Sequence, residues 1–178
     1  MLKKTSFAIL FALTCLVLSS AQEDKSKRPS PPAQAQCKFS DGKTITVDYS
    51  SPRMKGRKIF GELVPYGEVW RTGANDATTF VTGANLTVEG KEVPAGSYTI
   101  FTVPAQGKWT LIINKHTGEW GIPYKYESEE LARVPMSVSK TSGSVENFTI
   151  KFDQSGGACT LQLSWENTQA SLKFTEKK

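Results

Sequence analysis

The stretch SYTIFTVPAQGKWTLIIN, residues 97–114, indicates the fold of this chain. Its two halves, SYTIFTV and KWTLIIN, are rich in β-branched and aromatic residues and carry apolar side chains on both faces. The PAQG between them contains Pro104 and Gly107, which are typical turn residues. Because a strand that is apolar on both faces must be covered on both, we expect a β-hairpin at the centre of a sheet.

Other parts of the chain also have the periodicity of strands. In TITVDY (44–49), NFTIKF (147–152) and TLQLSWE (160–166), apolar and polar residues alternate, which predicts strands with one buried and one wet face. Weaker strand patterns follow at 77–83, 84–88, 133–139 and 170–174. With about nine short strands and no long helical period, the prediction is an all-β protein, an antiparallel β-sandwich or jelly roll.

The N-terminus, MLKKTSFAILFALTCLVLSSAQ, has the pattern of a secretory signal peptide. Lys3 and Lys4 precede an apolar run at 7–18, and small residues lead up to Ala21, which predicts cleavage after residue 21. We therefore expect export to the periplasm or the cell exterior. An uncleaved anchor is disfavoured because the run is shorter than the roughly 20 residues that span a bilayer. The residues before Cys15 do not fit a lipoprotein signal.

Residues 22–36, QEDKSKRPSPPAQAQ, contain no large apolar side chain. Such a Pro- and Gln-rich segment cannot bury enough surface to offset its ordering entropy, so we predict a flexible tether before a single β-sandwich domain at 37–175. Removing Lys3 and Lys4 with the signal peptide lowers the basic residues from 22 to 20 against 17 acidic ones. The remaining surplus of +3 gives no reason to expect a nucleic-acid partner.

Two cysteines, Cys37 and Cys159, remain after the predicted cleavage. In an oxidising compartment such a pair is a candidate disulfide, and the long loop that it would close gives a stabilisation of up to roughly 5 kcal/mol in the chain-entropy model. Two buried free thiols are the alternative, since only geometry decides between them.

One segment, GRKIFGELVPYGEVWRTGAND at 56–76, interrupts the strand pattern. Its apolar residues 59–60 and 63–64 have helical spacing, so we predict a short amphipathic helix over 56–64 that crosses one end of the sandwich. Pro65 then prevents the helix from continuing.

The same segment has the composition of a polar ligand site. Arginine forks bind carboxylate or phosphate groups, aromatic faces stack on sugar rings, and Asn offers both a donor and an acceptor. The candidate ligand-binding residues are Arg57, Tyr66, Trp70, Arg71 and Asn75. A structural role is the alternative: Arg71 as a buried strut paired with Glu62 or Glu68, and Trp70 as part of the core.

Residues for other chemistry are sparse. The only histidine, His116, lacks the partners that a Ser-His-Asp triad or a zinc site requires, so we expect a solvated turn histidine, no metal and no cofactor. Hydrolysis would need a pair of carboxylates. The candidates for it are Glu62, Glu68 and Asp76 in the segment 56–76, with Asp48 and Glu119 able to approach it.

Four motifs resemble those of a known family: SSPRMKGRKIFGELVPYGEVWRTGAND (50–76), GKEVPAGSYTIFTVP (90–104), KWTLIINKHTGEWG (108–121) and TLQLSWEN (160–167). They are similar to the exported bacterial family catalogued as domain of unknown function 2911, and the resemblance covers about residues 45–166. It implies an exported, β-rich domain and carries over neither a reaction nor a catalytic residue. The two cysteines lie outside its motifs.

Three functions remain open at this point. The first is a non-catalytic binding or interaction domain for a polar or anionic small molecule or a glycan, and a concave pocket with converging arginines would favour it. The second is a hydrolase with paired carboxylates from the segment 56–76, which a carboxylate pair in a cleft would favour. The third is an envelope-structural or assembly protein, which an exposed apolar patch would favour. The residues favour a protein that is not an enzyme and leave its oligomeric state open.

Overall fold

The computed structural model describes residues 24–177, which form one antiparallel sheet of nine strands that is not closed into a barrel. Across the sheet the strands follow the order β1-β2-β3-β6-β7-β8-β9-β4-β5. In chain order they are β1 (Pro32–Lys38), β2 (Thr44–Ser50), β3 (Thr78–Thr82), β4 (Leu86–Val88), β5 (Lys91–Val93), β6 (Gly96–Val103), β7 (Trp109–Asn114), β8 (Glu130–Ser155) and β9 (Ala158–Glu176). Two short 3-10 helices accompany them, Lys25–Lys27 and Glu127–Glu129. The predicted all-β class and antiparallel pairing are confirmed.

Strands β6 and β7 lie in the middle of the sheet, as the sequence predicts. They pair with each other, and the register places Phe101 opposite Ile112. Ile100 and Leu111 belong to the main core, whereas Phe101 and Ile112 are buried on the opposite face. Neither strand alternates between apolar and polar residues because both of its faces are covered.

The long strands β8 and β9 turn the sheet back over itself. The first residues of β8 pair with β7 and the rest pair with β9, with shifts of register between residues 140 and 149. The Ile150 N–H in β8 donates to Tyr49 Oη in β2 at 3.0 Å, and the rings of Tyr49 and Phe148 are 5.7 Å apart. The two layers enclose one apolar core to which all nine strands contribute.

A disulfide joins Cys37 in β1 to Cys159 in β9, with their Cα atoms 6.1 Å apart. The two residues are separated by 122 positions in sequence, and both are buried. The bond therefore ties the first strand in the chain, β1, to the last one, β9, across the core.

Residues 32–36, predicted to belong to a flexible tether, form most of β1 instead. Every residue of β1 pairs with β2, and Gln34 Nε2 donates to Asp48 Oδ1 at 2.8 Å. The prediction was wrong because the alternating inward residues are small: Ala35 is the first buried one. Pro32 is compatible with the strand because it is the first residue of an edge strand.

The predicted N-terminal signal peptide, residues 1–21, lies outside the described part of the chain. Within residues 24–177, no helix has the length and apolar character that crossing a membrane requires.

The helix predicted over 56–64 is wrong, because this segment is a series of turns. Gly56 and Gly61 have φ values of +71° and +89°, which a right-handed helix does not use. Turn hydrogen bonds replace the helical ladder: Val64 N–H donates to Ile59 O, and Gly61 N–H donates to Val64 O, both at 2.9 Å. The apolar side chains still anchor the segment, since three of them are buried: Ile59, Phe60 and Val64.

The loop between β7 and β8 covers the outer face of the sheet centre. The Tyr124 ring meets Phe101 edge-on, with centroids 4.8 Å apart. Asn114 is fully buried, and its Nδ2 donates to Tyr124 Oη at 3.0 Å and to Tyr126 O at 2.7 Å. These contacts hold the loop against the sheet and bring its first half alongside the segment 56–76.

Candidate functional site

A cavity of ≈390 Å³ opens between the segment 56–76 and the β7–β8 loop. Three charged side chains line it, Arg57, Glu68 and Arg71, together with a larger number of apolar ones. The largest apolar side chains in the lining are Leu63, Trp70, Ile122 and Trp165. A mostly apolar concavity with a few polar groups is the usual form of a small-molecule site.

Trp70 lines this cavity with a ring that also belongs to the core. Its ring stacks on Trp165 with centroids 5.9 Å apart and meets Phe148 at 4.9 Å. The indole N–H donates to Gly73 O at 3.0 Å, and the Trp70 backbone exchanges two hydrogen bonds with Thr102 in β6. Trp70 therefore has both of the roles considered from the sequence. Its ring packs in the core, and the same ring lines the cavity.

Arg71 is the partly buried cation of the cavity. Its guanidinium carbon lies 4.7 Å from the centre of the Trp120 ring, and its Nη1 donates to Trp120 O at 3.4 Å. Burial lowers the pKa of Arg71 below its ordinary value, while the charge of Asp76 acts in the opposite direction. A guanidinium remains protonated at neutral pH even so.

The pairing of Arg71 with Glu62 or Glu68, proposed from the sequence as a structural alternative, is absent from the described residues. Within residues 24–177, no carboxylate oxygen lies within 4.0 Å of an Arg71 nitrogen. Glu62 pairs instead with Lys58, at 3.4 Å. Arg71 therefore carries a charge without a carboxylate partner in this part of the chain.

Arg57 stands at the edge of the same cavity and is exposed. Its Nε donates to Met54 O at 3.0 Å and its Nη2 donates to Arg53 O at 2.7 Å. These two bonds orient the guanidinium, and within residues 24–177 they leave three of its five N–H donors available to a ligand.

Tyr66 and Asn75, which the sequence placed in the candidate site, lie outside the cavity lining. Tyr66 is exposed and packs against Gly61, where an added Cβ would lie only 2.8 Å from the ring. Asn75 Nδ2 donates to Ser30 O at 3.0 Å and to Ser50 Oγ at 3.1 Å. Asn75 thus fastens the end of the segment 56–76 to Ser30 and Ser50, at a positive φ of +59° that Asn tolerates.

Three exposed apolar residues near the cavity were not among the predicted site residues. Leu63 and Ile122 are each 44% exposed and line the cavity, and Trp120 is 54% exposed beside Arg71. The motif GEWG (118–121) does indicate that Trp120 is exposed. A tryptophan between a charged residue and a glycine in a turn does not belong to a strand whose buried face could cover its ring. Its proximity to Arg71 is a tertiary contact over 49 residues of sequence.

The predicted carboxylates do not converge in this cavity. Among the described residues that line it, Glu68 is the only acidic one. Asp48 and Asp76 line another cavity, of ≈210 Å³, where Asp76 lies 4.0 Å from Lys25 Nζ and 3.9 Å from Arg28 Nη1. The structure therefore does not bring Glu68 together with a second carboxylate from the predicted set.

Glu119 is a buried carboxylate in the β7–β8 loop. It is 8% exposed, and neither carboxylate oxygen has a hydrogen-bond partner among the described residues. Its backbone O accepts a hydrogen bond of 3.1 Å from the Ala77 N–H. A buried carboxylate without a partner is destabilising, which makes Glu119 a weak point of this loop.

His116 occupies the turn after β7 and stacks on Tyr126, with ring centroids 4.4 Å apart. Its Nδ1 lies 3.1 Å from Glu129 Oε1, and its backbone N–H donates to Asn114 Oδ1 at 2.8 Å. These contacts are local to the loop. In the part of the chain that the structure describes, no group of three or more His, Cys, Asp or Glu side chains could hold a metal ion.

Comparison with known proteins places the chain in a family. A family model described as protein of unknown function (DUF2911) matches residues 30–174. The chain belongs to this family. The resemblance seen in the sequence is thus confirmed, and the DUF2911 match begins before β1 and ends within β9, so it spans the whole sheet except the last residues of β9. No curated protein and no solved structure matches this DUF2911 chain.

Proposed function

We propose that this DUF2911 protein is a non-catalytic binding domain that holds a small anionic molecule or an acidic sugar in the cavity beside Arg71. The observation that carries the proposal is the state of Arg71: a partly buried guanidinium at the cavity wall without a carboxylate partner among the described residues. Within residues 24–177, the one hydrogen bond that its guanidinium donates is long, at 3.4 Å. A ligand carboxylate or phosphate would supply the missing counter-charge and two parallel hydrogen bonds.

The neighbours of Arg71 suit a ligand with an apolar or sugar body. Leu63 and Ile122 offer exposed apolar surface in the lining, and Trp120 keeps Arg71 in place from one side. Glu68 can accept hydrogen bonds from ligand hydroxyl groups. An amphipathic ring that carries one negative group would use all of these features.

A hydrolase is less well supported, because it needs two carboxylates about 5 to 10 Å apart and the described lining of the cavity beside Arg71 has one acidic residue. Asp48 and Asp76 do share the other cavity, but there Asp76 lies 4.0 Å from Lys25 Nζ and 3.9 Å from Arg28 Nη1.

The proposal includes export to the periplasm or cell exterior. The signal-peptide pattern at residues 1–21 and the disulfide between Cys37 and Cys159 support this location, since disulfides persist in oxidising compartments.

A thermal-shift screen with neutral sugars, uronic acids, phosphate and divalent metals tests the proposal. We expect an anion such as galacturonate or phosphate to raise the melting temperature, and galactose, which lacks the negative charge, to have little effect. A probe at about 100 times its Kd adds about 2.7 kcal/mol, or roughly 5 to 10 °C in a domain of this size.

The variant Arg71→Met keeps the apolar stem and should abolish the shift in a protein that still folds. Lys151→Gln removes an exposed charge from β8, away from the cavity, and should leave the shift unchanged. An equal response of Arg71→Met and native protein would refute the proposed site. Absence of a response to every probe would direct the search to protein partners.

A further inference from the structure

We infer that the ligand carries two anionic groups, because a second cationic cavity adjoins the one beside Arg71. This inference rests on the proposed function and extends it. The second cavity has a volume of ≈420 Å³ and is lined by Pro29, Ser30, Arg53, Lys55 and Arg57. Ser30 and Arg57 also line the first cavity, so the two cavities adjoin, and together they are called the groove. We call the second cavity the basic subsite.

The arginines of the groove differ from the other arginines of the chain in their ion pairing. All five arginines lie within the described residues. Arg133 binds Glu130 through two nitrogens, at 2.6 and 2.8 Å, and Arg28 lies 3.9 Å from Asp76. In residues 24–177, the three arginines without a carboxylate oxygen within 4.0 Å are those of the groove: Arg53, Arg57 and Arg71.

The basic subsite is built on a loop that is fastened to β8. Met54 N–H donates to Glu146 O and Lys55 N–H donates to Glu146 Oε1, both at 2.8 Å. Arg53 forms an isolated bridge with Asn147, and its Nη1 donates to Ser51 O at 3.1 Å and to Ser51 Oγ at 2.8 Å. The backbone of the loop is thus held before a ligand arrives, which lowers the entropy cost of binding.

The charged side chains that line this subsite are all positive. The carboxylate that touches its loop, Glu146, accepts from the Lys55 backbone N–H, and no side-chain nitrogen of a described lysine or arginine lies within 4.0 Å of it. The side chains of Arg53, Lys55 and Arg57 therefore stand together without acidic residues in the lining. Like charges held on one loop repel each other, and an anion bound between them relieves that repulsion.

The shape and charge of the groove fit an elongated acidic molecule. One anionic group would bind Arg71 in the first cavity, and a second would bind Arg53 and Lys55, with Arg57 between them. A short acidic oligosaccharide and a condensed phosphate both present anionic groups at such intervals, and guanidinium binds both carboxylate and phosphate. A neutral chain of equal length would gain nothing from the basic subsite.

The test is isothermal titration calorimetry of the purified protein with two series of probes. One series is galacturonate, digalacturonate and trigalacturonate, and the other is phosphate, pyrophosphate and tripolyphosphate. We expect the best multivalent member of at least one series to bind about ten-fold more tightly than its monomer, the gain of one good charge-assisted contact. The series that shows this gain identifies the source of the anionic groups.

Two variants test whether the gain in affinity of the multivalent probe over its monomer depends on the basic subsite. Lys55→Gln should reduce it to less than about three-fold, whereas Lys55→Arg keeps the charge and should retain it. Lys151→Gln is the matched control for loss of one exposed lysine and should also retain the gain. The melting temperature of each variant shows that it is folded.

The outcomes separate this inference from the proposed function. Suppose that a monomeric probe binds in an Arg71-dependent way and that no longer probe binds more tightly than its monomer. That result would overturn the inference and leave the proposed function standing. A gain that persists unchanged in Lys55→Gln would also overturn the inference. Failure of every probe to bind would overturn both.

Discussion

Arg71 lies with its guanidinium carbon 4.7 Å from the centre of the Trp120 ring. The two residues come from different parts of the chain, 49 positions apart, and meet beside the cavity. Trp120 supplies a ring face and a backbone oxygen, and neither neutralises the positive charge of Arg71. The arrangement orients a cation and leaves its charge available to a ligand.

Trp120→Ala should weaken binding of an anionic probe by roughly two- to five-fold, because Arg71 loses the cation–π contact that orients it, worth about 0.5 to 1 kcal/mol. The ring is 54% exposed, so the loss of unfolding free energy should be of similar size. Titration calorimetry and urea unfolding measure the two effects. Trp120→Phe keeps an aromatic face and should retain most of the affinity. Equal affinity of Trp120→Ala and native protein would show that the contact plays no part in binding.

Asn75→Ala should destabilise the fold by about 2 to 4 kcal/mol and leave probe affinity unchanged. The substitution removes two hydrogen bonds. It also places an alanine at a φ of +59°, a left-handed conformation that alanine adopts at a cost. Asn75→Gly tolerates this φ and should cost less, which separates the backbone effect from the hydrogen bonds. Urea unfolding and calorimetry measure both properties. If Asn75→Ala is as stable as the native protein but no longer binds the anionic probe, Asn75 belongs to the ligand site after all.

Replacing both Cys37 and Cys159 with Ala should lower the unfolding free energy by about 2 to 5 kcal/mol. The bond closes a loop with a sequence separation of 122, and both residues are buried between layers of the sheet. Reductant should lower the urea midpoint of the native protein and have no effect on the double variant. Equal stability of native and double-variant proteins would contradict a structural role for this bond.

Glu119→Met should raise the unfolding free energy by about 1 to 3 kcal/mol, because an apolar group of similar length replaces two buried oxygens that have no hydrogen-bond partner among residues 24–177. That gain corresponds to several degrees in melting temperature. Thermal and urea unfolding both measure it. Destabilisation by this substitution would show that the carboxylate makes a favourable contact in the native protein.

The fold was largely predictable because its signals are local. The hairpin of β6 and β7 is visible as two strands that are apolar on both faces, and the half-buried strands are visible as alternation. β1 was missed at residues 32–36 because small residues give a weak apolar signal, which its pairing with β2 outweighs. The helix at 56–64 was wrong because apolar spacing alone does not report the positive φ of Gly56 and Gly61.

The candidate site was predictable only in part, for the same physical reason. Arg57, Trp70 and Arg71 were found because they share one unusual segment, and the structure places all three at one cavity. Ile122 and Trp120 come from a distant loop, so no local pattern connects them with that segment. The lack of a carboxylate within 4.0 Å of the Arg71 nitrogens, among residues 24–177, depends on side-chain placement, which a sequence does not contain.

The most direct test of the site is an NMR titration of the four tryptophan side-chain N–H signals with galacturonate and with phosphate. Trp70 and Trp165 line the cavity and Trp120 contacts Arg71, whereas Trp109 is buried and lies outside the lining. We predict that a bound anion shifts the signals of Trp70 and Trp120 with one saturable affinity, moves Trp109 least, and has no such effect in Arg71→Met. Saturable binding that leaves Trp70 and Trp120 unmoved, or that persists in Arg71→Met, would contradict the account.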